Sequence, residues 1–218
     1  LARFGILKDN PVYEDAQQTM KMTDIEPDFM INVCGNQKHE ITKISTGSYP
    51  AHDVLVQFQK QIAFFSVSNQ YDVVVCGNGG YPLDQNLYQA VKSMAIGEIA
   101  VKPNGTIIAI NKCQNGLGDP NFEKILKSGL SPQQITSEIM KRKKHSSEHW
   151  QIQVLSRILD YANIITLSSL NKDQIGNIGL IHKKSFRDAL NYCITMYGKD
   201  LRMLVLPDGP LAIPVFEN

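Results

Sequence analysis

Tyr71-Asp72-Val73-Val74-Val75-Cys76-Gly77-Asn78-Gly79-Gly80-Tyr81-Pro82-Leu83-Asp84-Gln85-Asn86-Leu87-Tyr88-Gln89-Ala90-Val91-Lys92 is the stretch on which the fold turns. The run Tyr71 to Cys76 is β-branched and too apolar for a strand with one wet face, so it is expected as a central strand buried on both sides. The glycines let the backbone turn sharply, and Pro82 stiffens the exit. Asp84 is a candidate N-cap for a helix reaching about Ala100, which would leave first-turn amides aimed at a crevice. At about 100° per residue, Leu87, Val91, Met94 and Ala95 share one side of that helix, and Tyr88, Gln89 and Lys92 form an adjoining stripe. A lysine beside an amide and a phenol can hold a carboxylate or phosphate and a neighbouring hydroxyl. The blander alternative is a lysine on a solvated flank and a tyrosine lying over the sheet edge.

Working outward, strands alternate with helices. Asn10-Pro11 has the form of a helix start, with an amphipathic turn pattern over Val12 to Met22. Phe29–Val33 and Ile41–Ser45 are predicted as two short strands joined through the polar Gly35-Asn36-Gln37-Lys38. Ala51–Phe65 has helical apolar spacing at Val54, Leu55, Phe58, Ile62 and Phe65. Beyond the decisive stretch come a strand Thr106–Ile110, helices at Phe122–Lys127, Pro132–Lys143 and Trp150–Tyr161, a strand Ile164–Leu167, a helix Ser185–Tyr197 and a strand Met203–Leu206. The last ends in the turn signal Pro207-Asp208-Gly209-Pro210. This order predicts an α/β, Rossmann-like, mostly parallel sheet with helices on both faces, preceded by an N-terminal arm. The expected division is residues 1–27 as an arm or interdomain linker helix and 28–218 as an α/β domain. Ligands of such sheets gather outside the carboxyl ends of the strands.

Composition narrows the function classes. The 218 residues carry 22 Lys and Arg against 21 Asp and Glu, a net charge of +1, so no long-range field would recruit nucleic acid. The basic run Lys141-Arg142-Lys143-Lys144 is expected as a solvated helix end. No apolar run reaches the roughly 18 residues of a membrane helix, and no signal-peptide pattern opens the chain, so no membrane partner is expected. The four cysteines, Cys34, Cys76, Cys113 and Cys193, lack C-x-x-C spacing and are expected as buried thiols in a reducing, cytoplasmic setting. Leu1 in place of Met suggests that something precedes it in the gene product.

Specific motifs are sparse. Gly77-Asn78-Gly79-Gly80 lacks the third spaced glycine of a dinucleotide fingerprint, and Pro82 stands where the helix should be under way, which disfavours a nicotinamide-dependent oxidoreductase. None of His39, His52, His145, His149 or His182 has metal-ligand spacing, so each is expected to be a surface or structural histidine. Asn104-Gly105-Thr106 is expected as a turn into a strand.

Gly79-Gly80-Tyr81-Pro82-x-Asp84-x-Asn86-Leu87-Tyr88-Gln89-x-x-Lys92, Cys113-Gln114-Asn115-Gly116-Leu117-Gly118 and Trp150-Gln151, in that order, resemble the C-terminal half of the nickel-dependent lactate racemase family. Weaker echoes occur at Asn10-Pro11, Gly47 and Pro207-Asp208-Gly209, so the resemblance spans nearly the whole chain. It departs at Cys76-Gly77-Asn78, where the family has a Ser- or Pro-containing turn, which bears on substrate preference. The resemblance implies a two-domain isomerase that racemises or epimerises a small 2-hydroxy acid by hydride transfer to a nickel pincer nucleotide. It further implies that the cofactor, its tethering lysine and a pair of base histidines belong to an N-terminal domain, the partner of this one. This chain alone would then hold no cofactor or metal and be inactive. Gln89 and Lys92 are carried over as catalytic contacts; Gly79, Gly80, Tyr88 and Trp150 join them in binding substrate or cofactor. Trp150 is implied as an aromatic wall, or alternatively a core or interface anchor. The competing expectation is a non-catalytic small-molecule-binding domain of the same fold.

Overall fold

The computed structural model describes residues 2–23, 27–36, 38, 40–141 and 149–217. They form two compact units, Leu1–Phe65 with Leu211–Ile213, and Ser66–Pro210 with Pro214–Asn218. The division anticipated at residue 27 falls inside the first unit. The reason is local: the early hairpin pairs with itself and packs on the helix that follows, forming a sheet separate from the parallel one.

In the first unit, helix α1 (Pro11–Thr23) begins as its sequence implies. The Asn10 side chain accepts from Val12 N at 3.1 Å, and Pro11 occupies the first position, where no amide is needed. Strands β1 (Met30–Gly35) and β2 (Ile41–Gly47) pair antiparallel, with a register shift at Cys34/Gly35. The Asn36 carboxamide oxygen organises their turn by accepting from Lys38 N and Glu40 N. Helix α2 (Pro50–Ala63) buries Ala51, Leu55 and Ala63. It stops two residues earlier than its apolar spacing suggests, because Phe64 becomes extended (φ −91°, ψ 137°) and opens β3 (Phe64–Val67).

The second unit follows the alternation expected of an α/β chain. Its elements are β4 (Tyr71–Gly77), α3 (Leu87–Ala100), β5 (Val101–Ile110), α4 (Pro120–Leu126), α5 (Pro132–Lys141), α6 (His149–Tyr161), β6 (Asn163–Leu167), β7 (Ile181–His182), α7 (Phe186–Tyr197), β8 (Met203–Leu206), a 3-10 turn (Gly209–Leu211) and β9 (Ile213–Phe216). Five strands form one sheet in the order β7-β6-β5-β4-β8, every pair parallel. Strand β4 is buried on both faces as its valines demand: Val73, Val74 and Cys76 have no exposed surface. Val73 and Val75 join Ile108, Ile165, Ala189 and Cys193 in a cluster under α7. The opposite face takes α3, whose Gly97 lies so close to Ile107 and Cys76 that an added Cβ would stand 3.0 Å from Ile107 Cγ2. The chain runs outward from β4 to β7 on one side and returns with β8 on the other, so the crevice point of the sheet lies beside the carboxyl end of β4.

Three short elements, β3, β7 and β9, have too few residues to leave a readable period. The described part of α5 ends at Lys141, and the rest of the basic run, with His39 and His145, lies outside the described residues. Lys141 itself is exposed and 4.0 Å from Glu138, a solvated helix end. No helix among the described residues is long and apolar enough to cross a membrane.

Asp72 ties three strands together at the amino edge of the sheet. Its carboxylate accepts from Lys102 Nζ at 2.6 Å and from Arg202 N at 2.8 Å. The Lys102 hydrogen bond and then the Arg202 amide hold this carboxyl below its ordinary 3.8. A carboxyl depressed in the folded state contributes stability that is complete above its unfolded value and is lost as pH falls through the lower folded one. Asp72→Asn should therefore cost about 1 kcal/mol near pH 7 and flatten the acid limb of the stability curve, as read by urea unfolding between about pH 2 and pH 6.

Candidate functional site

Helix α3 starts at Leu87, three residues later than expected, and its N-cap is Asn86, whose side chain accepts from Gln89 N at 2.9 Å. Asp84 does other work. Its carboxylate accepts from Lys112 N at 2.9 Å and its carbonyl from Cys113 N at 2.9 Å, which fastens the β4–α3 loop to the loop leaving β5. The two segments continue side by side: Asn115 N donates to Gln85 O, Leu87 N to Gly116 O and Tyr88 N to Leu117 O. The stretches Gly79–Lys92 and Cys113–Gly118, far apart in sequence, are thus one clasp.

This clasp overturns one expectation. Of the first amides of α3, Leu87 N and Tyr88 N are taken by Gly116 O and Leu117 O, and Gln89 N and Ala90 N by the side chain and carbonyl of Asn86. The helix start therefore offers no free backbone donors to an anion, and a pyrophosphate cannot be cradled there. Negative charge at this end of α3 has to be met by a side chain.

Lys92 is the ammonium in the second turn of this helix. It is half-buried one turn after Tyr88, and among the described residues no carboxylate pairs with it. Gln89 is also half-buried and lies between them on the stripe expected from helical spacing. The Tyr88 ring is held edge-on between Phe122, at 5.5 Å and 81°, and Trp150, at 6.0 Å and 84°. Phe122 is fully buried, whereas Trp150 is 49% exposed, which rules out a core position for Trp150. Helix α6 is pinned against α3 by the Arg157 fork on Glu98, at 3.0 and 2.7 Å, and by Gln151 Nε2 donating to Tyr88 O at 2.6 Å. Tyr88 and Trp150 are thereby in contact beside the start of α3, and Gln89 and Lys92 lie in the first two turns of the same helix. Gly79 and Gly80 are exposed and have φ of +77° and +78°, values that favour glycine whatever binds nearby.

Sequence reading missed the polar residues underneath. Asn78, 2% exposed, donates to Leu83 O and to Gln89 O, closing the glycine turn and holding the helix start. Asn111, 4% exposed, donates to Ser93 Oγ at 3.3 Å. The carboxamide oxygens of Asn78, Asn111 and Gln151 are buried and have no hydrogen-bond partner among the described residues. A polar residue at the end of a largely buried apolar run, as at Asn78 after residues 73–77 and at Asn111 after residues 107–110, was the available signal. The cysteines behave as expected of packing thiols: all four are free and buried, and burial pushes Cys76 and Cys113 up to about 12. No three His, Cys, Asp or Glu side chains among the described residues are grouped to hold a metal ion. His52 stacks on Tyr13 in the first unit, His182 lies on edge strand β7, and His149 lines a small cavity with Ile125, Ile135 and Ile139.

Residues 67–214 match the family model described as the lactate racemase C-terminal domain. The chain belongs to the lactate racemase C-terminal domain family. It is 32% identical over 212 residues to a lactate racemase of Thermoanaerobacterium thermosaccharolyticum and 31% identical over 215 residues to one of Lactiplantibacillus plantarum. Each alignment covers 95% of this chain and 49% of the relative, so the chain spans about half the length of the curated relatives it matches. The lactate racemase apoprotein structure from the first organism superposes with a TM-score of 0.90 at 31% identity, over 97% of this chain and 51% of that one. A Thermotoga maritima protein at 11% identity and a TM-score of 0.66, covering 96% of this chain and 54% of that one, shares the fold alone. The racemase-family model covers nearly the extent of the second unit and contains the whole clasp.

The clasp depends on close approach at Gly118, where an added Cβ would stand 2.9 Å from Tyr88 Cβ and 3.1 Å from Asn86 Cγ, at a φ of +99°. Gly118→Ala should cost about 2 kcal/mol in denaturant unfolding. It should also alter the fluorescence of Trp150, the single tryptophan, through the displaced Tyr88 ring.

Proposed function

We propose that this chain is the substrate-side domain of a lactate racemase-type isomerase acting on a small 2-hydroxy acid, completed in the intact protein by an N-terminal domain. The carrying observation is Lys92: a half-buried ammonium without a carboxylate partner among the described residues, set beside Gln89, Tyr88 and Trp150 in a racemase-family domain. An ammonium, a carboxamide and a phenol make a donor set for an anion and a hydroxyl, matching the two functional groups of a 2-hydroxy acid or a phosphate-bearing cofactor.

The donor set of this chain does not fit a transition metal, since its thiols are buried and protonated and no acidic or imidazole cluster is present among the described residues. It fits contact with the anionic groups of a nickel pincer nucleotide held by the other domain. The chemistry that nucleotide supplies when bound is reversible acceptance of hydride from the substrate carbon. This chain's residues then bind and orient. Lys92 neutralises a carboxylate or phosphate, Gln89 fixes the direction of the group by hydrogen bonding, and Tyr88 with Trp150 keeps water from one side of the reacting carbon. Gly79 and Gly80 shape the turn bordering this edge. The base histidines are assigned to the other domain by the family resemblance, and His149, next to Trp150 in sequence, is buried in the cavity lined by Ile125, Ile135 and Ile139. Four free, buried cysteines suit a reducing compartment such as the cytoplasm.

In a protein of the relatives' full length, Lys92→Ala should lower kcat/KM for a 2-hydroxy acid by about 10²-fold or more. The far-UV circular dichroism and melting of this domain should stay as they were, because no fold contact of the ammonium is lost. Undiminished racemisation would remove Lys92 from the site, and a full-length protein that binds hydroxy acids without interconverting them would favour a non-catalytic binding domain.

A further inference from the structure

Apolar side chains are distributed unevenly over this chain. In the unit Leu1–Phe65 with Leu211–Ile213, the buried apolar residues are Cys34, Ala51, Leu55 and Ala63, and the described residues of α1 include no buried one. The same unit exposes Phe29 by 63%, Ile31 by 68%, Val33 by 50% and Ile44 by 54%. Hairpin register explains why Ile31, Val33 and Ile44 lie together, with Phe29 directly ahead of β1. Ile31 faces Thr46 and Val33 faces Ile44, so one side of β1–β2 carries the isoleucines and valine, while Met30, Asn32 and Cys34 alternate onto the side packed against α2. A two-stranded hairpin is marginal in water unless its apolar face is covered, and a contiguous exposed apolar face marks an interface.

Two observations indicate what covers it. The matched family domain begins at residue 67, so the hairpin lies outside it; yet the alignments to full-length relatives cover 95% of this chain and only 49% of theirs. We infer that residues 28–65 are the closing piece of a second domain, and that the Phe29, Ile31, Val33 and Ile44 face packs against apolar side chains of the half of the relatives' length that this chain does not span. This goes beyond the catalytic reading and needs no turnover for its readout, so either can fail while the other stands.

The test is amide hydrogen exchange on two proteins: this chain alone, and a fusion that places ahead of residue 2 the missing half from the Thermoanaerobacterium thermosaccharolyticum relative. Light scattering should give a monomer for the chain alone, with fast exchange over residues 30–47. In the fusion those amides should slow by at least about 10-fold, while β4 to β6 change little. Ile31→Ser combined with Ile44→Ser should restore fast exchange in the fusion and leave it unaltered in the chain alone. The inference is overturned by a hairpin equally exposed in both proteins, by a hairpin already protected in the monomer, by a dimer whose second copy covers this face, or by a double substitution that speeds exchange equally in both.

Discussion

Strand β4 must hide both faces, and most of the second unit follows from that constraint. Val73, Val74, Val75 and Cys76 are at most 5% exposed. A strand wet on neither side needs a helix layer above and below, and a chain that places both layers while pairing parallel neighbours has to cross over repeatedly. Helix α7 fills one side and α3 with α6 the other, which leaves the carboxyl end of β4 as the place where loops diverge. The site belongs to that edge because backbone there has left the sheet while the buried strand still holds it rigid.

The clasp between residues 84–88 and 113–117 changes how charge is handled at that edge. A free helix start would have supplied backbone donors and made the site a generic anion hole. Here those donors are consumed internally, so an anion at that edge would have to be met by side chains, Lys92 among them in the proposed function. Such an arrangement discriminates by position rather than by field, since Lys92 reaches only as far as its stem and the Asn78 and Gln151 amides keep the helix from shifting.

The two units differ in how much of their own apolar surface they satisfy. The parallel sheet closes its core with its own helices, whereas the hairpin unit holds a few small buried residues and leaves its larger ones outside. An exposed Val33–Ile44 pair across a hairpin costs hydrophobic free energy that covering it would recover, which is the physical ground for the inferred interface.

Much of this protein was legible in one dimension. Helical spacing over 87–100, the valine run at 73–75, the Asn10-Pro11 start and the stripe Tyr88, Gln89, Lys92 are local periodicities, and local periodicity survives without knowledge of neighbours. The motif order also sufficed to place the chain in its family. Three things required the folded molecule. Asp84 was a reasonable cap until the β5 loop arrived to take its carboxylate and passed the cap to Asn86. Asn78, Asn111 and Gln151 acquired meaning only when strands and helices distant in sequence came within hydrogen-bond reach. The hairpin, grouped with the main domain by continuity of the chain, proved to pair only with itself, because which strands share a sheet is decided by long-range contacts that no stretch of residues encodes alone.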